Sequence, residues 1–299
     1  MNIHVSAGMA TLPAQFLALR NTIDECALLI GDALVAQRYQ FPPLIPAADI
    51  DRFDYFKNFP HLPLVVSHTK PVELSAEREI SAAAMTQVPQ HLVEAGSYVL
   101  PPAACYNVYL HLKDRQLDSL HTFSTVAQCF RRESHYRGLE RLQAFTMREI
   151  VLVGPKEEVV ERLDVVRQRV IDLAQSLGIE ACIKQAADPF FQADSPRALM
   201  QKLTSVKQEL VYGDELAISS FNFHRNFFGE RCNITTPDGG HAFSACMGIG
   251  LERWLHALLD TCEQNADVAQ SRLEAVRVGL RERLSVSAAD RSQDVCCAE

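Results

Sequence analysis

Apolar positions recur at helical spacing from residue 1 to about 40, where Leu17, Ile23, Leu28, Leu29 and Leu34 predict a helix. Pro42, Pro43 and Pro46 end that pattern, and Pro60, Pro63 and Val65 mark an extended stretch. Residues 88–113, VPQHLVEAGSYVLPPAACYNVYLHLK, read as a strand, a turn at Pro101-Pro102 and a helix. The period is strongest over 157–177, a second helix. SPRALMQKLTSVK, residues 195–207, predicts another, with Ser195 as N-cap and Pro196 at the first helical position. ELAISSFNF (215–223) and HAFSACMGI (241–249) read as strands, and LERWLHALLD (251–260) as a helix. No internal repeat is visible, and helices and hairpin-like strands interleave without βαβ regularity. The expected class is α+β on an antiparallel sheet flanked by helices.

One stretch breaks this ordinary pattern. CFRRESHYRGLERLQAFTMRE, residues 129–149, is dense in charge of both signs and does not run at helical period. Strands at 126–133 and 141–149, joined by SHYRGLE (134–140), set Cys129, Arg131 and Glu133 on one face of the first strand. The same alternation sets Arg141, Gln143, Phe145, Met147 and Glu149 on one face of the second. Guanidinium groups for phosphate, a ring for a base and carboxylates for a metal or an amine make a face suited to a nucleotide. A solvent-facing hairpin laced with salt bridges has the same pattern.

Composition narrows the partners. The chain has 299 residues and a formal net charge of -8, with no block rich in Lys or Arg, which argues against a protein that grips many phosphates of a nucleic acid. No apolar run approaches the roughly 20 residues that span a bilayer, and the first residues lack a secretory pattern. Nine cysteines without a CxxC pair suggest reduced, cytoplasmic thiols, some of them available to a metal. Cys129, Cys182 and Cys232 read as core thiols, and Cys296 and Cys297 lie in a polar tail.

FRRE…RGLERLQAFTMRE resembles motif 2 of class II aminoacyl-tRNA synthetases, closest to the seryl type, and GIGLER, Gly248 to Arg253, resembles motif 3 at a strand-to-helix junction. Motif 1 is not legible. The resemblance covers about residues 90–262 and implies a class II core. By it, Arg131 and Arg253 are the catalytic cations, with Arg131 on the α-phosphate and the amino-acid carboxylate. Glu133, Arg141 and Leu142 receive the adenosine, and Phe145 stacks on adenine with Arg253 on its other face or at the γ-phosphate. Glu209 sits at Mg-ATP, and Ala217, Ile218, Ser219 and Ser220 lie beside the ribose and phosphates. A surface charge at a helix end is the plainer reading of Glu209. Class II cores pair, so a homodimer is implied.

Archaeal-type seryl-tRNA synthetases and the amino acid:[carrier protein] ligases similar to them hold zinc through a Cys-Glu-Cys set. Cys105, Glu149 and Cys246 fall on elements that this fold brings together. Two thiolates and a carboxylate leave a fourth position open to an α-amino group; a buried thiol with no ligand role is the alternative for each cysteine. LPPAACY, DPFF, ELAISSFNFHRNFFG and SACMGIGLERW also resemble the carrier-protein ligases. Asp188 in DPFF then lines the amino-acid pocket or is an ordinary turn residue. The helix from Ser195 to Val206 presents Arg197, Lys202 and Lys207 to an acidic carrier or is a solvated face.

The expected domains are an N-terminal segment 1–85 packed on the core, a catalytic core 86–265 with a helical insertion around 155–207, and a C-terminal helix and tail 266–299. The expected activity is ATP-dependent activation of a small amino acid, glycine or alanine, and transfer to the phosphopantetheine thiol of a carrier protein. The short loop Ser134 to Glu140, the absence of sustained heptads before residue 85 and the acidic balance point away from tRNA. A truncated seryl-tRNA synthetase and an inactive paralogue acting as a binding subunit are the alternatives.

Overall fold

The sheet is organised around the strand at residues 144–154, which carries buried apolar side chains on both faces. The computed structural model describes residues 2–80, 84–192, 194, 199, 201 and 206–296. Its strands are β1 (His4–Ser6), β2 (Met9–Thr11), β3 (Gln37–Tyr39), β4 (Ile45–Pro46), β5 (Val65–Val66), β6 (Tyr98–Val99), β7 (His121–Phe130), β8 (Ala144–Gly154), β9 (Ala181–Gln185), β10 (Lys207–Tyr212), β11 (Leu216–Arg225) and β12 (Phe243–Gly250). The main sheet runs β3-β7-β8-β12-β11-β10-β9, and the β1-β2 hairpin joins the start of β8. Its pairings are antiparallel apart from β3 with β7 and the β2–β8 bridge. β4, β6 and β5 form a small antiparallel sheet. The α+β expectation holds.

The helices are α1 (Ala14–Asp32), α2 (Ala47–Asp51), α3 (Tyr55–Asn58), α4 (Pro71–Ile80), α5 (Tyr106–His111), α6 (Lys156–Ser176), α7 (Phe227–Cys232), α8 (Leu251–Thr261) and α9 (Ala266–Cys296). Four of them cover one face of the sheet. In α8, Leu251, Trp254, Leu255 and Leu258 recur at i, i+3, i+4 and i+7 and are buried. In α6 the same role falls to Val159, Leu163, Val166, Val170 and Leu173. With α1 and α9 they enclose Ile150, Leu152, Met247 and Ile249. On the opposite face Val151, Val153 and Cys246 pack with Phe123, Tyr109 and Phe228. No described helix is long and apolar enough to cross a membrane.

Two expectations about elements need correction. The helix predicted over residues 1 to about 40 spans only Ala14–Asp32. Before it, β1 and β2 form a hairpin whose two-residue loop has positive φ at both Ala7 and Gly8, the mirror-image turn that suits strand twist. A side chain at Gly8 is also excluded by space, since a Cβ there would lie 2.6 Å from the Tyr136 ring. The charged hairpin is real, but its strands are 121–130 and 144–154, not 126–133 and 141–149. Thr122, Ser124 and Thr125 are buried within β7 although their polarity reads as loop. Residues 131–143 form the connection, closed by an Arg131 N–H to Gln143 O bond of 2.9 Å.

Helix α1 is pinned to β8 by charge as well as by apolar contact. Arg148 is buried, donates from Nε and Nη2 to the two oxygens of Asp24 at 2.6 and 2.7 Å, and from Nη1 to Ser124 Oγ at 3.1 Å. Removing one partner of a buried pair strands the other charge. Asp24→Ala should therefore destabilise the fold by about 3 kcal/mol in urea unfolding, and Arg148→Met in that background should recover part of the loss. An unchanged unfolding midpoint for Asp24→Ala would contradict this role.

Candidate active site

Strand register assembles the cavity. Residues directly opposed across antiparallel strands share a face. Thr125, Glu149, Gly248, Ser220 and Glu209 therefore form one row across β7, β8, β12, β11 and β10. The next row on that face is Val151, Cys246, Asn222 and Lys207. Gly248 and Gly250 leave the floor bare at its centre. A Cβ at Gly248 would already lie 3.2 Å from Ser220 Oγ and 3.6 Å from Met147 Sδ. Phe53, Tyr55, Phe59, Tyr106 and Phe228 wall the space above, enclosing about 610 Å³, a size suited to a small-molecule site.

The rows bring Cys105, Glu149 and Cys246 together, as the resemblance implies. One ligand atom from each lies within 4.8 Å of the others, and all three residues are buried. Cys105 reaches the site from the N-cap of α5, directly after the Pro101-Pro102 turn. Glu149 Oε1 accepts the Ala104 N–H at 3.1 Å, while Oε2 is buried with no hydrogen-bond partner. Burial pushes the Glu149 carboxyl above its ordinary value, although the facing thiols and the Ala104 N–H favour its charged form. A buried carboxylate oxygen left without a donor is costly, and a cation between it and two sulfurs removes that cost. The donor set fits a tetrahedral metal with one position free.

The other end of the cavity is cationic. Arg131 donates from Nε to Pro102 O at 2.8 Å, and its guanidinium lies over the Phe145 ring, 5.2 Å from the centroid. Arg253 is anchored by Nε to Glu140 O and by Nη1 to Ala217 O, both at 2.8 Å. Its neighbour Glu252 is buried and accepts the Thr146 N–H at 2.7 Å, tying the start of α8 to β8. Burial and the nearby Arg131 and Arg141 push the Arg253 guanidinium below its ordinary value. Glu133, Leu142, Phe145, Ala217, Ile218 and Ser220 line the same space. Arg141 does not; its Nη1 bonds Glu133 Oε2 at 2.9 Å from a half-exposed position. The Ser219 hydroxyl accepts the Trp254 Nε1–H at 2.9 Å, on the helix-covered face.

Between the two ends lies a group that the sequence reading divided wrongly. Lys207 is not the end of a surface helix. It opens β10, is buried, and bonds Asp188 Oδ1 at 2.8 Å and Glu209 Oε1 at 3.1 Å. Gln201 Nε2 donates to Asp188 Oδ2 at 2.8 Å. Burial opposes ionisation of Asp188, but Lys207 outweighs it and holds the carboxyl below its ordinary value. Arg197 and Lys202, the other proposed carrier contacts, and most of the helix predicted there lie outside the described residues. Cys129 and Cys232 are buried as expected, whereas Cys182 is exposed on the edge strand β9. Asn222 and His224 were passed over: their alternation with Ser220 along β11 is the only signal that could have marked them.

No family model matches the chain. It is 34% identical over 230 residues to amino acid--[acyl-carrier-protein] ligase 2 of Bradyrhizobium diazoefficiens, covering 74% of this chain and 69% of the relative. Ligase 1 of the same organism is 32% identical over 277 residues, covering 86% and 81%. Among solved structures, Methanopyrus kandleri seryl-tRNA synthetase in complex with Aquifex aeolicus tRNASec superposes with a TM-score of 0.75 at 21% identity. That match takes in 86% of this chain but 54% of the synthetase, so the chain spans about half of that protein's length, and the likeness is one of fold. Identity at this level over most of both ligases, on a class II synthetase fold, makes the chain a member of the amino acid--[acyl-carrier-protein] ligase family.

Proposed function

We propose that this protein uses ATP with Mg2+ to activate a small amino acid, glycine or alanine, as the aminoacyl-adenylate. It then passes the aminoacyl group to the phosphopantetheine thiol of a carrier protein. The observation that carries the reading is the unpartnered Glu149 Oε2 beside two thiols, in the same cavity as two guanidinium groups. Cys105, Glu149 and Cys246 would hold zinc, which would supply Lewis-acid chemistry for binding the α-amino group. Burial first, and the charges of Arg131 and Arg141 after it, lower the affinity of Arg253 for its own proton, and a bound polyphosphate offsets that charge. Phe145 offers an aromatic face to adenine, and Glu209 stands at Mg-ATP.

The chemistry then needs positioning and charge neutralisation but no protein nucleophile. Arg131 orients the amino-acid carboxylate, whose oxygen attacks the α-phosphorus as the bond to pyrophosphate breaks. In the second step the carrier thiol attacks the acyl carbon, the bond to AMP breaks and the thiol proton passes to solvent. Aromatic side chains and the ion-paired Lys207 fill the remaining wall, which favours a small side chain. We read the acceptor as a carrier protein and not tRNA because the ligase relatives carry that name and the chain is acidic. The M. kandleri structure holds a tRNA on the same fold, which makes the acceptor the step to test.

Elemental analysis should find about one zinc per chain, lost in a Cys246→Ser variant that retains its circular dichroism. Full zinc in that variant would remove the proposed ligand set. Radiolabelled glycine or alanine with ATP should label a phosphopantetheinylated carrier through a bond cleaved by hydroxylamine, and should leave tRNA unlabelled. Stable charging of tRNA with an unlabelled carrier would overturn the acceptor. The homodimer belongs to the same reading, and sedimentation velocity at micromolar concentration should give the mass of two chains.

A further inference from the structure

We propose that His224 is a positioning residue that donates a hydrogen bond from Nε2 to the Cys246 thiolate, with its ring held in place at Nδ1 by the hydroxyls of Tyr109 and Ser244. This rests on the ligand set proposed above and concerns a residue outside it. His224 lies on β11, two residues beyond Asn222, and its Nε2 is 3.7 Å from Cys246 Sγ, within reach of an N–H···S bond. On the other side of the ring, Nδ1 is 3.3 Å from Tyr109 Oη and 3.4 Å from Ser244 Oγ. Tyr109 and Ser244 are fully buried, and the Tyr109 ring stacks on Phe228 with centroids 3.8 Å apart. The edge of the imidazole meets the same Phe228 ring at 4.9 Å. The ring is therefore held between Tyr109, Ser244 and Phe228, of which Phe228 also lines the cavity.

The protonation pattern follows from what each atom can do. A thiolate only accepts, so Nε2 must carry the proton, and Nδ1 is left as an acceptor. The hydroxyls of Tyr109 and Ser244 are both within reach of Nδ1, and either can donate to its one lone pair. Asn222 Nδ2 also points at Cys246 Sγ from 3.4 Å, so two N–H groups converge on this sulfur. Two thiolates and a carboxylate place three negative charges around one divalent ion, and N–H donors on a sulfur draw off part of that charge. Such outer contacts fix ligand orientation and tune the metal, and their loss typically costs 10- to 100-fold in metal affinity or activity. At this site such donors would leave a bound metal more electrophilic toward an amine than its anionic ligands alone would.

The test uses the full chain, freed of metal and titrated with Co2+ under reducing conditions. Wild type, His224→Leu and His224→Gln are compared, because glutamine can place an N–H near the position of Nε2. With the donor lost, the sulfur-to-cobalt charge-transfer band of His224→Leu should move to lower energy. Its Co2+ affinity should fall by about 10- to 100-fold, and the KM for amino acid should rise while the KM for ATP stays near wild type. His224→Gln should restore the band position and most of the affinity. Tyr109→Phe, which removes one of the hydroxyls that hold the ring at Nδ1, should shift the band the same way and serves if His224→Leu does not fold. A band unmoved in the folded variants, or glutamine as impaired as leucine, would overturn the proposal. Wild-type protein that binds no Co2+ through sulfur would instead sink the ligand set on which it rests.

Discussion

A carboxylate buried with one oxygen unpartnered dictates most of what surrounds it. Glu149 lies at the centre of the sheet, where desolvation disfavours its charge. Only a single backbone N–H, from Ala104, is offered to its other oxygen. Burying an acid in this way is tolerable where a positive centre completes the arrangement, and the neighbours are placed to provide one. The Pro101-Pro102 turn delivers Cys105 from outside the sheet, and β12 delivers Cys246 from within it. Both thiols also pack in the apolar cluster around Tyr109 and Phe228.

Charge is distributed along the cavity in an order that suits a reaction between a carboxylate and a polyphosphate. Two thiols and a carboxyl, all pushed toward their protonated forms by burial and by one another, occupy one end, and the guanidinium groups of Arg131 and Arg253 occupy the other. Between them, Lys207 is shared by Asp188 and Glu209, which keeps an ammonium ion ionised despite burial. That cluster is satisfied internally and needs no ligand to stabilise it. At the thiol end Glu149 Oε2 has no such partner, which is the physical difference between a closed ion-pair cluster and an open ligand set.

Much of this was legible in residue order, and what was not has identifiable causes. Phe145, Met147 and Glu149 follow a period of two, so their common face is readable without coordinates, as is the junction in GIGLER between strand and helix. The start of β7 was misplaced because Thr122, Ser124 and Thr125 are buried polar residues in a strand, against their usual distribution. Cys182 is exposed because β9 is an edge, a fact of sheet order and not of composition. Lys207 was assigned to a surface because its two carboxylate partners come from a turn and from its own strand two residues on. The alternation Ser220, Asn222, His224 is readable locally, but the approach of His224 to Cys246 depends on how β11 and β12 pair.

The alternation of β8 has a consequence for how this gene can vary in length. Arg148 belongs among the helices and Glu149 at the cavity, with one peptide bond between them. Gain or loss of a single residue inside residues 144–154 would invert the strand, sending the guanidinium to the thiols and the carboxylate to Asp24. The connection at 131–143 carries no such parity, and Gly138 at its tip has open space around it. Single-codon length changes in homologous genes should therefore accumulate at the hairpin tip and be purged from the strand a few residues away.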